Sequence, residues 1–230
     1  MATSADRRVV VLVVPATPSW APPGRTPTAW HHALTEDTYE LLADLAQVDV
    51  AVAVVTTDAP AADLGPAPAA DVKAAADAAL DVEAAVAAVR DLTWPGTPVY
   101  AVSGASPVLS AIELAGPAAA VVAVSYDVPD LPGLLIGKLF RALGSADIAV
   151  TPATDGSLAA IGVILPIASW VQDAAPTFDT TLAELEAVKP RRHAVAVGPG
   201  WHRLRSNADL AQLDPGLEGW DATRSLLRRQ

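Results

Sequence analysis

Cysteine is missing from this 230-residue chain. Its absence rules out a disulfide framework, a thiolate metal site and a cysteine nucleophile, and it fits a cytoplasmic protein. Basic residues are scarce as well: 15 Lys and Arg stand against 26 Asp and Glu, a net charge of -11. A surface so acidic repels a phosphate backbone at long range, so nucleic acid is not an expected partner. Long apolar runs are lacking. The uncharged apolar stretch from Ser157 to Gln172 is interrupted by Gly162 and Pro166 and falls short of the roughly 20 residues that span a bilayer. The stretch from Val9 to Val14 is too short for a signal core and stops at Pro15, so no membrane span is expected. Also absent are a Walker loop, GxGxxG, GxSxG and HExxH, which sets aside the chemistries those motifs serve.

What is present is alternation. Arg8 to Val14 is a continuous β-branched run, the pattern of a strand buried on both faces as in parallel sheets. A proline-rich loop, PATPSWAPPGRTPT, leads to TEDTYELLADLAQ, which places Leu34, Thr38, Leu41, Leu42 and Leu45 on one helical side, with Thr35 as the expected N-cap. DVAVAVVTT, from Asp49, is a second strand, completing a strand–helix–strand unit. Residues 59–71 are Ala, Pro, Asp and Gly, a low-complexity surface excursion, and the alanine-rich stretch from Asp71 to Leu92 predicts a solvated outer helix. Further strands are predicted in TPVYAVSG, AAAVVAVSYD, DIAVTPATDG, AAIGVILP and HAVAVGPG, and helices in SPVLSAIELAG, LPGLLIGKLFRALGSA, TLAELEAV and NADLAQL. The length suits one large α/β domain spanning 1–230, a three-layer αβα sandwich around a mostly parallel mixed sheet.

In such folds ligands gather at the carboxyl ends of the strands, where loops and helix N-termini meet. The polar residues there are Gly24 and Arg25, Ser103 and Gly104, Asp127 and Asp130, Thr154 to Ser157, and His202 to Asn207. Asp127 leaves the core at a strand end, where a hard divalent cation takes one or two carboxylates plus phosphate oxygens; a turn cap is the competing use of the same residue. Asp130, ahead of Leu131 and Pro132, reads as the cap of the next helix. Asp155–Gly156 is a D-G turn between two apolar runs, ordinarily a hairpin. His31 and His32 are neighbours whose side chains diverge on a helix, which speaks against a metal pair. Trp20 and Trp30 either stack on a base or sugar or pack a long loop.

VSYDVPDLP, followed by DIAVTPATDGSLAAIGV, resembles a bacterial glycosyltransferase-like family related to the molybdenum-cofactor and 2-phospholactate guanylyltransferases. Ser125, Asp127, Pro129, Asp130 and Leu131 fit the first block of that family, and Pro152, Ala153, Asp155 and Gly156 the second. The resemblance implies a nucleotide-diphospho-sugar transferase (GT-A-like) fold, a nucleotide or sugar nucleotide as ligand, and Mg²⁺ or Mn²⁺ on Asp127. Such a cation would neutralise the departing diphosphate. It further implies nucleotide contacts at Gly24, Arg25 and Gly104, and an acceptor pocket beside Asp155. Three positions depart from the family pattern. PPGRTPT has no lysine after Gly24 and Arg25; Ser157 stands for a second glycine; and Arg203 and Arg205 stand where carboxylates are expected. An arginine binds phosphate, not a cation. Two outcomes are therefore open: a transferase in which guanidinium charge replaces a metal, with Arg203 and Arg205 as ligand contacts, or a catalytically inactive relative that binds an anion or a partner protein. Solvated surface charge is the plain alternative for both arginines.

Overall fold

The computed structural model describes residues 8–17, 20–56 and 81–228. The low-complexity excursion expected at 59–71 lies outside them, as do the first residues of the stretch from Asp71 to Leu92 that was expected to be helical. Every side chain of β1 (Arg8–Pro15) between its ends is buried: Val9, Val11 and Val13 join one apolar cluster, and Val10, Leu12 and Val14 the other. A strand with no polar face requires cover on both sides. Helices α3 (Pro107–Leu114), α5 (Ser169–Ala174) and α6 (Leu182–Val188) supply it on one side. Helices α1 (Pro27–Ala43), α2 (81–91) and α4 (Gly133–Ala142) supply it on the other. The expected three layers are thus present.

Seven strands form the middle layer: β1, β2 (Asp49–Val55), β3 (Val99–Val102), β4 (Ala120–Ser125), β5 (Ile148–Pro152), β6 (Leu158–Ile164) and β7 (Val195–Val197), in the order β3-β2-β1-β4-β6-β5-β7. Only β6 runs against its neighbours β4 and β5; the other pairings are parallel. The antiparallel β5–β6 pair is the hairpin that Asp155–Gly156 predicts, and Gly156 at φ +88° supplies the left-handed residue its turn demands. The β1–β4 register sets Val13 opposite Ser125, so the residues that leave those strands emerge level with each other.

Local features differ from the sequence expectation, among them the short helix α5, which no predicted element covers. Helix α1 begins eight residues before Thr35: Thr26 is the N-cap, its Oγ1 accepting from Ala29 N at 3.2 Å, and Pro27 sits at the first helical position. Thr35 is buried inside the helix. NADLAQ (Asn207–Gln212) winds as a 3₁₀ helix, and a last helix, α7 (Asp221–Arg228), was not expected from the sequence. Its order comes from elsewhere in the chain. The buried Asp37 on α1 accepts from Ala222 N (2.9 Å) and Thr223 N (2.7 Å), capping the N-terminus of α7 from 185 residues away, while Arg25 Nε donates to Leu226 O (2.7 Å) in its last turn. Trp30, Leu34, Leu204, Leu213 and Trp220 form a third apolar cluster beneath these bonds.

Burial pushes the Asp37 carboxyl up to about 6, against the lowering effect of its bonds to Thr223 and Ala222. The native chain therefore holds this proton more tightly than the unfolded one. Its stabilising effect is complete below pH 4 and is lost as pH rises through about 6, a change of up to about 3 kcal/mol. Asp37→Asn removes the titration, so the stability difference between wild type and variant, followed by urea unfolding from pH 4 to 7, should drift across this window. A constant difference would show that Asp37 ionises as freely in the fold as out of it.

Candidate functional site

At the carboxyl edge of the sheet, a cavity of about 500 Å³ opens between the exits of β1 and β4. Pro15 and Trp20 wall it on one side, Tyr126 and Asp127 on another, and Arg203 to Arg205 on a third. The third wall is brought there by an extended segment after β7. Gly198 N bonds Val150 O (2.8 Å), Trp201 N bonds Pro152 O (2.9 Å), Thr154 N bonds Trp201 O (3.0 Å) and Leu204 N bonds Asp127 O (2.8 Å). The segment so crosses from the end of β5 to the end of β4, and successive side chains fall to opposite sides of it.

Asp127 is 3% exposed, and its carboxylate is taken by Arg203, whose Nε lies 2.9 Å from Oδ1 and 3.2 Å from Oδ2. Arg203 is itself buried. Its Nη1 donates to Ser157 Oγ and to Phe178 O, both at 3.3 Å, lies 3.6 Å from Asp179 Oδ1, and the guanidinium rests over the Phe178 ring. Burial alone would lower this guanidinium's pKa; Asp127, Asp179 and Asp155 more than offset it, so the group stays charged. Arg205, half exposed, spans Asp179 Oδ1 (2.8 Å) and Asp155 Oδ2 (3.5 Å). Asp155 in turn accepts from Ser157 N (3.0 Å) and Ser157 Oγ (2.5 Å). Burial would raise Asp155, but these bonds and the two guanidiniums outweigh it and hold the carboxyl below its ordinary value. Two departures from the family pattern therefore touch: the serine in place of glycine bonds the arginine in place of a carboxylate.

The structure brings Asp127, Asp155, Arg203 and Arg205 into one network. Gly24, Arg25 and Gly104 stand apart from it and do not line the cavity. Arg25 is engaged with α7 and with Gly24 O (3.0 Å). Gly104 follows β3 at the sheet edge, with β2 and β1 between it and β4. Asp130 does not cap α4, whose N-cap is Pro132. Its buried carboxylate accepts from Trp201 Nε1 (3.2 Å) and Asp214 N (3.3 Å), and His202 Nε2 lies 2.9 Å away in a contact not aligned as a hydrogen bond. Asp130 thus anchors the crossing segment from behind. Trp20 packs edge-on against Trp30, the loop-packing use, and also lines the cavity. Phe178 and Asp179 were not among the residues singled out in the sequence. They precede a short capped helix, and only the tertiary fold turns them toward the arginines.

Among the described residues no three His, Asp or Glu side chains converge as a cation site. At Asp127 a guanidinium nitrogen lies within hydrogen-bond distance of both oxygens, the position a cation would need. The expected Mg²⁺ or Mn²⁺ does not fit this donor set.

No family model matches the chain, and no curated protein matches it in sequence. Solved structures do. A protein of Desulfovibrio desulfuricans G20, assigned provisionally as a nucleotide-diphospho-sugar transferase, superposes with a TM-score of 0.59 at 17% identity over 95% of this chain and 94% of that one. The 4-diphosphocytidyl-2C-methyl-D-erythritol synthase of Anaerococcus prevotii DSM 20548 gives 0.52 at 14% identity over 98% and 99%. The fold is that of the nucleotide-diphospho-sugar transferases.

Removing one partner of a buried pair strands the other charge, at a cost of about 3–5 kcal/mol. Arg203→Ala and Asp127→Ala should each destabilise the chain on this scale in urea, whereas the double variant should lose far less than their sum. Additive losses would show that the two groups do not interact.

Proposed function

We propose that this chain is a nucleotide-dependent transferase of the nucleotidyl or glycosyl type, distantly related to the guanylyltransferases its motifs resemble. The observation that carries the reading is the cavity at the carboxyl edge between β1 and β4, walled by an aromatic pair, Trp20 and Tyr126, and by two arginines, in a fold shared with transferases. The switch point of an open parallel sheet is where such folds take their ligands. An aromatic face suits a base or sugar, and guanidinium groups suit phosphate. The similarity to a diphosphocytidyl synthase supports a nucleotide as the ligand.

In the transfer, an acceptor oxygen forms a bond to phosphorus or to the anomeric carbon as the bond to the leaving phosphate breaks. The acceptor proton passes to water, and negative charge accumulates on the departing phosphate oxygens. Charge stabilisation is the main help a protein gives such a step. Arg205 faces the cavity and supplies it; Arg203, fixed by Asp127 and Ser157, supplies it from a set position. Asp155, held below the usual carboxylate range, makes a poor general base at neutral pH, and its work is to orient Arg205.

A second reading is favoured by one observation: Asp127, the family's metal-binding carboxylate, is spent on Arg203. On that reading the chain keeps the pocket but not the turnover, as an anion-binding relative. Two measurements separate the readings. Calorimetry against a panel of nucleoside triphosphates and sugar nucleotides, with and without Mn²⁺, should show selective binding of one base, weakened about tenfold by Trp20→Ala. A turnover assay with the bound nucleotide and an acceptor panel should then release pyrophosphate or nucleoside diphosphate. Binding without release supports the second reading; no selective binding removes the first.

A further inference from the structure

We propose that the ligand's phosphate binds as a free anion, without a divalent cation, between Arg203 and Arg205, and that the Asp179 carboxylate holds that place until the phosphate displaces it. This inference rests on the nucleotide reading above and adds the form in which the ligand is taken. Its basis is how the five charges are arranged. Asp127 is buried and faces Arg203, so this acidic side chain offers nothing to a metal-bound phosphate. Arg203 commits Nε to Asp127 and Nη1 to Ser157 and Phe178, while Nη2 bonds none of the described residues. Arg205 lies on the cavity wall, and its Nη1 is bridged by Asp179 at 2.8 Å.

Asp179 differs from its neighbours in being 68% exposed. It sits in the turn before α6, where its own N–H bonds Thr177 Oγ1 (3.2 Å), and nothing fastens its carboxylate except the two guanidiniums. An ion pair with one partner so exposed contributes little to stability and exchanges readily. To a guanidinium, a carboxylate oxygen and a phosphate oxygen offer the same kind of acceptor, but a phosphate brings more charge and a third oxygen. A phosphate entering from the cavity side thus meets a pair already oriented for it and expels only a loosely held side chain. The cation's usual task of offsetting phosphate charge falls to a guanidinium that cannot dissociate, because Asp127 and Ser157 fasten it.

The experiment is calorimetry with inorganic pyrophosphate and with nucleoside triphosphates, in EDTA and in Mg²⁺ or Mn²⁺, on wild type and on two variants of exposed residues that leave the core intact. Wild type should bind pyrophosphate in EDTA, and added cation should give no gain. Asp179→Asn should tighten pyrophosphate about tenfold by removing the competing charge, and Arg205→Ala should weaken it about tenfold or more. An unchanged affinity in Asp179→Asn overturns the placeholder. Nucleotide binding that appears only with a divalent cation overturns the inference while leaving the nucleotide reading intact. Cation-free pyrophosphate binding without any nucleotide preference supports the inference and removes the nucleotide reading. Absence of binding to every anion ends both.

Discussion

The contact between Asp127 and Arg203 governs the chemistry of this molecule. A carboxylate at the end of the central β4 strand is delivered to the carboxyl edge of the sheet, and a guanidinium arriving from 76 residues downstream takes it. Burial makes the pair stringent. Each charge is costly in the interior without the other, and Ser157 and the Phe178 carbonyl take up Nη1 of the arginine. Everything else at the site follows from it: the crossing segment is fixed at Asp127, the D-G-S hairpin is drawn to Arg203, and Arg205 is left as the exposed cation at the mouth. The same contact decides what kind of electrostatics is available, since it spends the Asp127 carboxylate on a fixed guanidinium.

Much of the architecture is legible in the residues because the physics is local. The continuous β-branched run of β1, with no polar face, reads as a strand covered on both sides, the other six strands are also legible as apolar runs, and Gly156 sits at φ +88° where the D-G pattern wanted a turn. The misses share a cause. Thr26-Pro27 was absorbed into a proline-rich loop, although a threonine followed by proline at the first helical position is a helix start. Asp130 was read as a local cap because the sequence shows only its neighbours along the chain, whereas its partners are Trp201 and Asp214. Helix α7 was missed because its N-terminus is capped by Asp37, far away in the sequence, and not by a residue beside it.

The site was half legible. Asp127 and Asp155 stand out by position at strand ends, and the arginines by contradicting the expected pattern, so the sequence marks the places. It does not say that Ser157 and Arg203 touch, since 46 residues separate them and only the fold makes them meet. Nor does anything in TFDTT single out Asp179 ahead of the other acidic residues of so acidic a chain.

The clamp on α7 also has a consequence for how the chain is made. The cluster of Trp30, Leu34, Leu204 and Trp220 and the bonds from Arg25 and Asp37 join residues 25–37 to residues 204–226. Contacts of such separation are the slowest to close. During synthesis the wall of the cavity that carries Trp20 must therefore wait, its aromatic surface bare, until α7 has emerged from the ribosome.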